Sequence, residues 1–130
     1  MVKGWMAKRR TGFTLIELLV VLAIVGTLLT IAVPRYFASL DRSKESVLKE
    51  NLYQLRDAIS RYHADKGRYP ESLDALVTDR YLRKVPRDPL TESDTTWVVV
   101  AAQDPENPGV FDIRSGALGR GIDGSDYASW

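Results

Sequence analysis

The chain contains no cysteine and a single histidine among its 130 residues. The missing cysteine excludes a disulfide framework, a thiolate metal site and a thiol nucleophile. His63 has no serine or cysteine at a spacing that indicates nucleophilic catalysis, and the sequence has no Gly-rich phosphate loop and no His/Asp metal motif. We therefore expect a protein that is not an enzyme and whose fold is held by packing, with or without a bound ion.

The chain beyond its N-terminal segment has a slight excess of acidic residues. The chain has 18 Lys+Arg and 17 Asp+Glu, but four of the bases precede Gly12, which leaves 14 bases against 17 acids in the remainder. These four are Lys3, Lys8, Arg9 and Arg10. Nucleic acid is therefore not an expected partner, because it requires a basic face.

An apolar run covers residues 13–33, and Glu17 is its one ionisable residue. At about 1.5 Å per residue its 21 residues span roughly 30 Å as a helix, enough to cross the hydrocarbon core of a bilayer. The preceding bases predict a cytoplasmic N-terminus, with the chain after Pro34 on the outside. No small-residue cleavage site ends the run, so we expect a retained anchor rather than a secretory signal.

A second helical pattern follows the apolar run. Its apolar residues recur at spacings of four and three, which is one face of an amphipathic helix. They are Leu48, Leu52, Leu55, Ile59 and Tyr62. Glu45 with Lys49, and Asp57 with Arg61, form i,i+4 pairs that we expect on the wet side of this helix.

The two patterns join without turn chemistry between them. We therefore predict one helix from Phe13 to about Lys66, ended by Gly67 in a left-handed conformation. Pro34 removes one backbone hydrogen bond, so we expect a kink or a local opening there.

In the remainder of the chain the pattern of residues predicts short helices and strands. A short helix is expected at residues 71–77, and strands are expected at residues 96–102 and 110–114. In the second strand Phe111 and Ile113 are expected to share one face. The turn-forming stretch QDPENPG joins the strands, so an antiparallel hairpin is expected. The predicted fold class is α+β, with a long N-terminal helix, transmembrane in its first half, packed on a small antiparallel sheet.

Residues 8–17, KRRTGFTLIE, join the basic segment to the apolar run. This stretch resembles the processing motif of class III signal peptides, found in type IV pilins and pseudopilins. The resemblance implies that a prepilin peptidase removes residues 1–12 by cutting after Gly12, and that the same enzyme methylates the new amine of Phe13. Gly12 has no side chain to obstruct a tight peptidase site.

Glu17 lies near the start of a membrane span, where an unpaired carboxylate costs roughly a few kcal/mol. Its depth allows either a position among the headgroups or contact with a cation on a neighbouring subunit. By the resemblance, Glu17 neutralises the Phe13 amine of an adjacent subunit and sets the register of a filament. Pro34 matches a family proline where the helix loosens in the filament, and its alternative role is a simple kink at the membrane edge. Residues 13–34 are thus the expected transmembrane and assembly segment.

Two segments beyond the long helix indicate which members of this family the chain resembles most. GRYP at residues 67–70 and PRDP at residues 86–89 are similar to segments of the major, G-type pseudopilin of type II secretion systems. The implied fold is pilin-like, and residues 35–130 are the implied periplasmic globular domain, including the second half of the long helix.

The C-terminal stretch departs from the family pattern. In the family a glycine-rich acidic loop binds Ca²⁺ through carboxylates and backbone carbonyls, an oxygen shell that suits a hard cation. The resemblance makes Asp123, Ser125 and Asp126 candidate calcium ligands. The usual early aspartate is missing, however, and Arg120 opposes a divalent cation. A solvated C-terminal turn is the alternative reading of this stretch.

The resemblance implies a structural subunit of a type II secretion pseudopilus, a periplasmic filament that drives export of folded proteins across the outer membrane. Expected partners are further copies of the chain in a helical filament, minor pseudopilins, the inner-membrane assembly platform, the prepilin peptidase and, before assembly, the membrane. The expected location is the bacterial inner membrane, single-pass, with the N-terminus inside and the C-terminal domain in the periplasm.

Two alternatives remain open from the sequence. One is a type IV pilus subunit for adhesion, motility or DNA uptake, which the missing cysteine pair disfavours. The other is a membrane-anchored periplasmic enzyme or binding protein.

Overall fold

The computed structural model describes Gly4 and residues 12–130. Along this part of the chain the order of elements is helix, helix, strand, strand and a terminal 3₁₀ turn. They are α1 (Leu15–Lys66), α2 (Leu73–Thr78), β1 (Val98–Ala101), β2 (Val110–Arg114) and the 3₁₀ turn Tyr127–Ser129. The predicted α+β, pilin-like fold is confirmed. The predicted leader lies outside the described residues except for Gly4 and Gly12.

The chain divides into two compact units, with the boundary after Ala38. In the first unit α1 is apolar and continues through Pro34 without a break in helical assignment. The Thr27 and Thr30 hydroxyls each donate to the carbonyl four residues earlier, at 2.8 Å. Because these hydroxyls are satisfied within the helix, the helix presents no unpaired threonine donor to a lipid environment.

The second unit, Ser39–Trp130, contains the core. The predicted apolar stripe of α1 is confirmed, since all five of its residues are buried. One cluster joins three leucines of the stripe to Trp97 and Ile113, and a second joins Ile59 and Tyr62 to Leu76 and Val110. Burial of this stripe, rather than helix propensity, holds the outer half of α1 in place.

The ends of the helices follow the local turn chemistry. α1 ends at Lys66 as predicted, because Gly67 adopts a φ of 68° and its N–H donates to the His63 carbonyl at 2.8 Å. The short helix α2 begins at Leu73 rather than at residue 71, because Ser72 caps it and accepts from the Ala75 N–H.

The antiparallel hairpin is confirmed, but its predicted alternation is wrong at Phe111. Ala101 pairs with Val110 whereas Val100 pairs with Asp112, so Phe111 is the extra residue of a bulge. Val110 and Ile113 are therefore both buried, and Phe111 is exposed.

Candidate assembly and processing site

The start of α1 is closed by a reciprocal pair of hydrogen bonds. The Glu17 N–H donates to Thr14 Oγ1 at 3.2 Å, and the Thr14 N–H donates to Glu17 Oε2 at 3.4 Å. This is a capping box, which satisfies backbone donors that the first turn leaves unpaired. It explains why α1 begins at Leu15 and not at Phe13.

The structure brings three of the candidate residues to one end of α1. Gly12 is exposed, and a Cβ added to it would meet no atom within 4 Å. The Phe13 side chain is 86% exposed. Gly12, Phe13 and Glu17 therefore all lie open at the same helix end, and Pro34 lies about 25 Å farther along the axis.

The first half of α1 is an uncovered apolar surface. All residues from 12 to 38 are exposed, and the large aliphatic side chains of this stretch are at least 44% exposed. A carboxylate at one end of such a helix would need a cation or water. The arrangement suits burial in lipid or against like helices, with Glu17 as its one charged group between residues 13 and 34.

The three candidate calcium ligands make hydrogen bonds and an ion pair within the C-terminal segment. Ser125 donates to Asp123 Oδ1 through both its hydroxyl, at 2.6 Å, and its N–H, at 2.9 Å. These bonds lower the pKa of Asp123, and the positive charge of Lys49 adds to the effect. Asp126 instead forms an ion pair with Arg120 at 3.2 Å. Among the described residues no group of three His, Cys, Asp or Glu is placed to hold a metal ion.

The expected surface pair of Glu45 with Lys49 is wrong, because Glu45 is buried against the C-terminal segment. Glu45 is only 8% exposed and accepts from the Ile122 N–H and the Tyr127 hydroxyl. Arg56 of the same helix donates to the backbone oxygens of Ile113 and Trp130. The spacing of the sequence does indicate that Glu45 is buried, since it lies three residues before Leu48 and so continues the buried stripe. The predicted Asp57–Arg61 pair is confirmed at 3.0 Å.

The long helix has an exposed apolar first half, and a small domain packs on its second half. A glutamate of the capping box lies near a Gly-Phe junction. These features are those of a type IV pilin-like protein. The family model described as "Prokaryotic N-terminal methylation motif" matches residues 7–33. The core protein G of the Pseudomonas aeruginosa type II secretion system is 30% identical over 95% of this chain and 96% of its own length. The chain belongs to the family of type II secretion system core protein G.

Other relatives match over shorter stretches. The Pectobacterium carotovorum core protein G is 31% identical over 66% of this chain and 65% of its own length, so the chain spans a little under two thirds of that relative. The type IV major pilin PilA of Myxococcus xanthus is 44% identical over 48% of this chain and 29% of its own length. No solved structure gives a significant match.

Proposed function

We propose that this chain is a structural subunit of a type II secretion pseudopilus, a periplasmic filament that drives export of folded proteins across the outer membrane. It catalyses no reaction. The observation that carries the proposal is the first half of α1, which is apolar, long enough to cross a bilayer and exposed throughout the described residues. Such a surface requires lipid before assembly and other copies of the same helix afterwards.

Processing precedes assembly in this proposal. The prepilin peptidase removes residues 1–12 by cutting between Gly12 and Phe13, and the Phe13 amine is then methylated. The exposed position of both residues supports the proposal, as does the methylation motif that matches residues 7–33. Cleavage at this junction leaves the entire apolar helix in the chain.

In the filament, Glu17 neutralises the amine of Phe13 on an adjacent subunit. Within a single chain the Glu17 carboxylate accepts only a long bond of 3.4 Å from the Thr14 N–H, and no shorter bond to it is found in the described part of the chain. A carboxylate that accepts only this long bond from a neutral donor is free to pair with a cationic amine, which adds the attraction of opposite charges to a shorter hydrogen bond. Pro34 is the point at which α1 loosens as subunits pack.

The proposed topology is single-pass in the bacterial inner membrane, with residues 13–34 spanning it and residues 35–130 in the periplasm. The bases ahead of Gly12 support a cytoplasmic N-terminus. Minor pseudopilins, the inner-membrane assembly platform and the prepilin peptidase are the proposed partners.

Three variants test the role of Glu17. Glu17→Gln keeps an oxygen for the Thr14 N–H but removes the charge, whereas Glu17→Ala removes both. Thr14→Val removes the capping hydroxyl and leaves the carboxylate in place. We expect Glu17→Gln and Glu17→Ala to insert into the membrane and to form few crosslinked filaments, and Thr14→Val to assemble. Normal filaments from Glu17→Gln would show that the charge of Glu17 is not needed for assembly and that the residue serves only to cap the helix.

A type IV pilus subunit is the second candidate, and the match to PilA of Myxococcus xanthus favours it. Deleting the gene separates the two candidates. Loss of protein secretion with surface pili intact supports the pseudopilus. Loss of surface pili with secretion intact identifies a pilus subunit instead.

A further inference from the structure

The C-terminal segment, residues 115–130, lies against the outer half of α1 within the second unit. Three polar side chains of α1 contact it. They are Glu45, Lys49 and Arg56. The C-terminal segment is thus attached to the outer half of α1, the same part of the helix that contributes the buried stripe to the core.

Glu45 provides the first attachment. Its Oε1 accepts from the Ile122 N–H at 2.8 Å and from the Tyr127 hydroxyl at 2.9 Å. One buried carboxylate oxygen therefore satisfies a backbone donor and a side-chain donor of the C-terminal segment together. Removing it would leave both donors unpaired.

Arg56 provides the second attachment. Its Nη2 donates to the Ile113 carbonyl at 2.9 Å and to the Trp130 backbone oxygen at 2.8 Å, and its Nε donates to Asp112 Oδ1 at 2.8 Å. The guanidinium thereby connects strand β2 to the last residue of the segment. Its planar, rigid group presents several N–H donors at once, so it can bind both.

Trp130 is packed between these attachments. Lys49 Nζ lies 4.7 Å from the centroid of its ring, a cation–π distance. The Trp130 Nε1 donates to Ser125 Oγ at 2.6 Å, and its ring lies so close to Gly121 that a Cβ there would come within 2.4 Å of Cζ2. The ring therefore packs against the loop that carries Asp123 and Ser125.

A calcium ion does not fit the same residues. Ca²⁺ takes six to eight oxygen ligands, several of them carboxylate. Here the Oδ1 of Asp123 already accepts two hydrogen bonds from Ser125, and Asp126 pairs with Arg120. Lys49 and Arg120 bring positive charge to both carboxylates, which opposes a divalent cation.

We propose that Glu45 and Arg56 fasten the C-terminal segment to α1, and that this segment keeps its structure without a divalent cation. In this chain the direct contacts from α1 perform the closure that a calcium ion performs in the family pattern. The proposal concerns the folding of one subunit and does not depend on the kind of filament that the subunit forms.

Calcium dependence is measured on the full chain purified from membranes in detergent. The thermal midpoint and the rate of tryptic cleavage after Arg120 are recorded in excess chelator and again with added calcium chloride. We expect the same midpoint and the same rate in both. Calcium at a hundredfold excess over its Kd would instead raise the midpoint by roughly 10 °C or more, and that result would overturn the proposal.

Variants of the helix test the attachments themselves. Glu45→Ala is expected to lower the midpoint by roughly 5–15 °C and to speed cleavage after Arg120 about tenfold or more. Glu45→Gln keeps an acceptor oxygen and should recover most of the loss. Glu50→Ala is the matched control, because Glu50 is exposed on the same helix. Arg56→Ala is compared in the same way with Arg61→Ala, since Arg61 is also exposed.

The variant results decide whether Glu45 and Arg56 attach the C-terminal segment to α1. Equal behaviour of Glu45→Ala and Glu50→Ala would show that Glu45 fastens nothing. If Glu45→Ala does not fold at all, the comparison of Arg56→Ala with Arg61→Ala gives the decision instead. A Glu45→Gln chain that becomes stable only with calcium would also contradict the account.

Discussion

The Tyr127 hydroxyl donates a 2.9 Å hydrogen bond to Oε1 of Glu45, joining residues 82 positions apart. Burial is the main reason that the pKa of Tyr127 is raised to about 12, and the hydrogen bond to Glu45 and the negative charge of that carboxylate add to it. This one contact ties the end of the chain to the helix that enters the globular unit.

Tyr127 should therefore titrate late. Because its pKa is raised in the folded state, its contribution to stability is complete below about pH 10 and is lost as the pH rises through about 12. The tyrosinate absorbance of wild type minus that of Tyr127→Phe isolates this group. In Glu45→Gln the negative charge is gone, so we expect the pKa of Tyr127 to fall. An ordinary pKa for Tyr127 in the wild type would show that the contact with Glu45 does not form.

Asp88 of the PRDP segment should matter for stability. It is 0% exposed, its Oδ1 accepts from the Leu90 N–H at 2.9 Å, and its Oδ2 accepts from the Ser115 hydroxyl at 2.6 Å. Asp88→Ala leaves these donors unpaired, so we expect the free energy of unfolding to fall by roughly 2–4 kcal/mol. Denaturant unfolding of the full chain in detergent measures it. The exposed Asp94→Ala is the control, and an equal effect of both variants would contradict a structural role for Asp88.

Gly116 should tolerate no side chain. A Cβ at this position would overlap the Thr96 carbonyl oxygen, which is backbone and has little freedom to move. We expect Gly116→Ala to destabilise the second unit, Ser39–Trp130, more than Gly67→Ala does. Gly67 has open space around its α-carbon, so that variant carries only the left-handed strain of about 1–2 kcal/mol. Comparing the two unfolding curves tests this order, and a smaller effect at Gly116 would contradict it.

Leu55 should be among the most sensitive core positions. It is 0% exposed and belongs to the cluster with Trp97 and Ile113. Leu55→Ala is expected to lower the free energy of unfolding by about 2–5 kcal/mol, because it removes buried methyl groups and leaves a cavity. Tyr53 is 67% exposed on the same helix, and Tyr53→Ala is the control with an expected change near zero. Similar losses at both positions would mean that the buried stripe faces elsewhere.

The periodic features of this chain were predictable because they depend on local spacing. The stripe from Leu48 to Tyr62, the end of α1 at Lys66 and the strand Val110–Arg114 all follow from patterns within a few residues. The Thr14 to Glu17 capping box also follows from local spacing, as a threonine followed three residues later by a glutamate.

The remaining features depend on contacts between distant segments. Glu45 reads as a surface residue until Ile122 and Tyr127 are placed beside it, 77 and 82 positions away. The bulge at Phe111 shifts the pairing with β1 by one residue, and the alternation of β2 alone does not reveal it. Similarly, Asp88 resembles a turn residue until Ser115 closes its hydrogen bonds.

The intact mass of the chain purified from membranes distinguishes a processed pilin-like subunit from an uncleaved membrane anchor. We expect loss of residues 1–12 and the gain of one methyl group, located on the Phe13 amine by fragmentation. A chain that keeps its full N-terminus would contradict the account and would favour an uncleaved anchor of a periplasmic enzyme or binding protein.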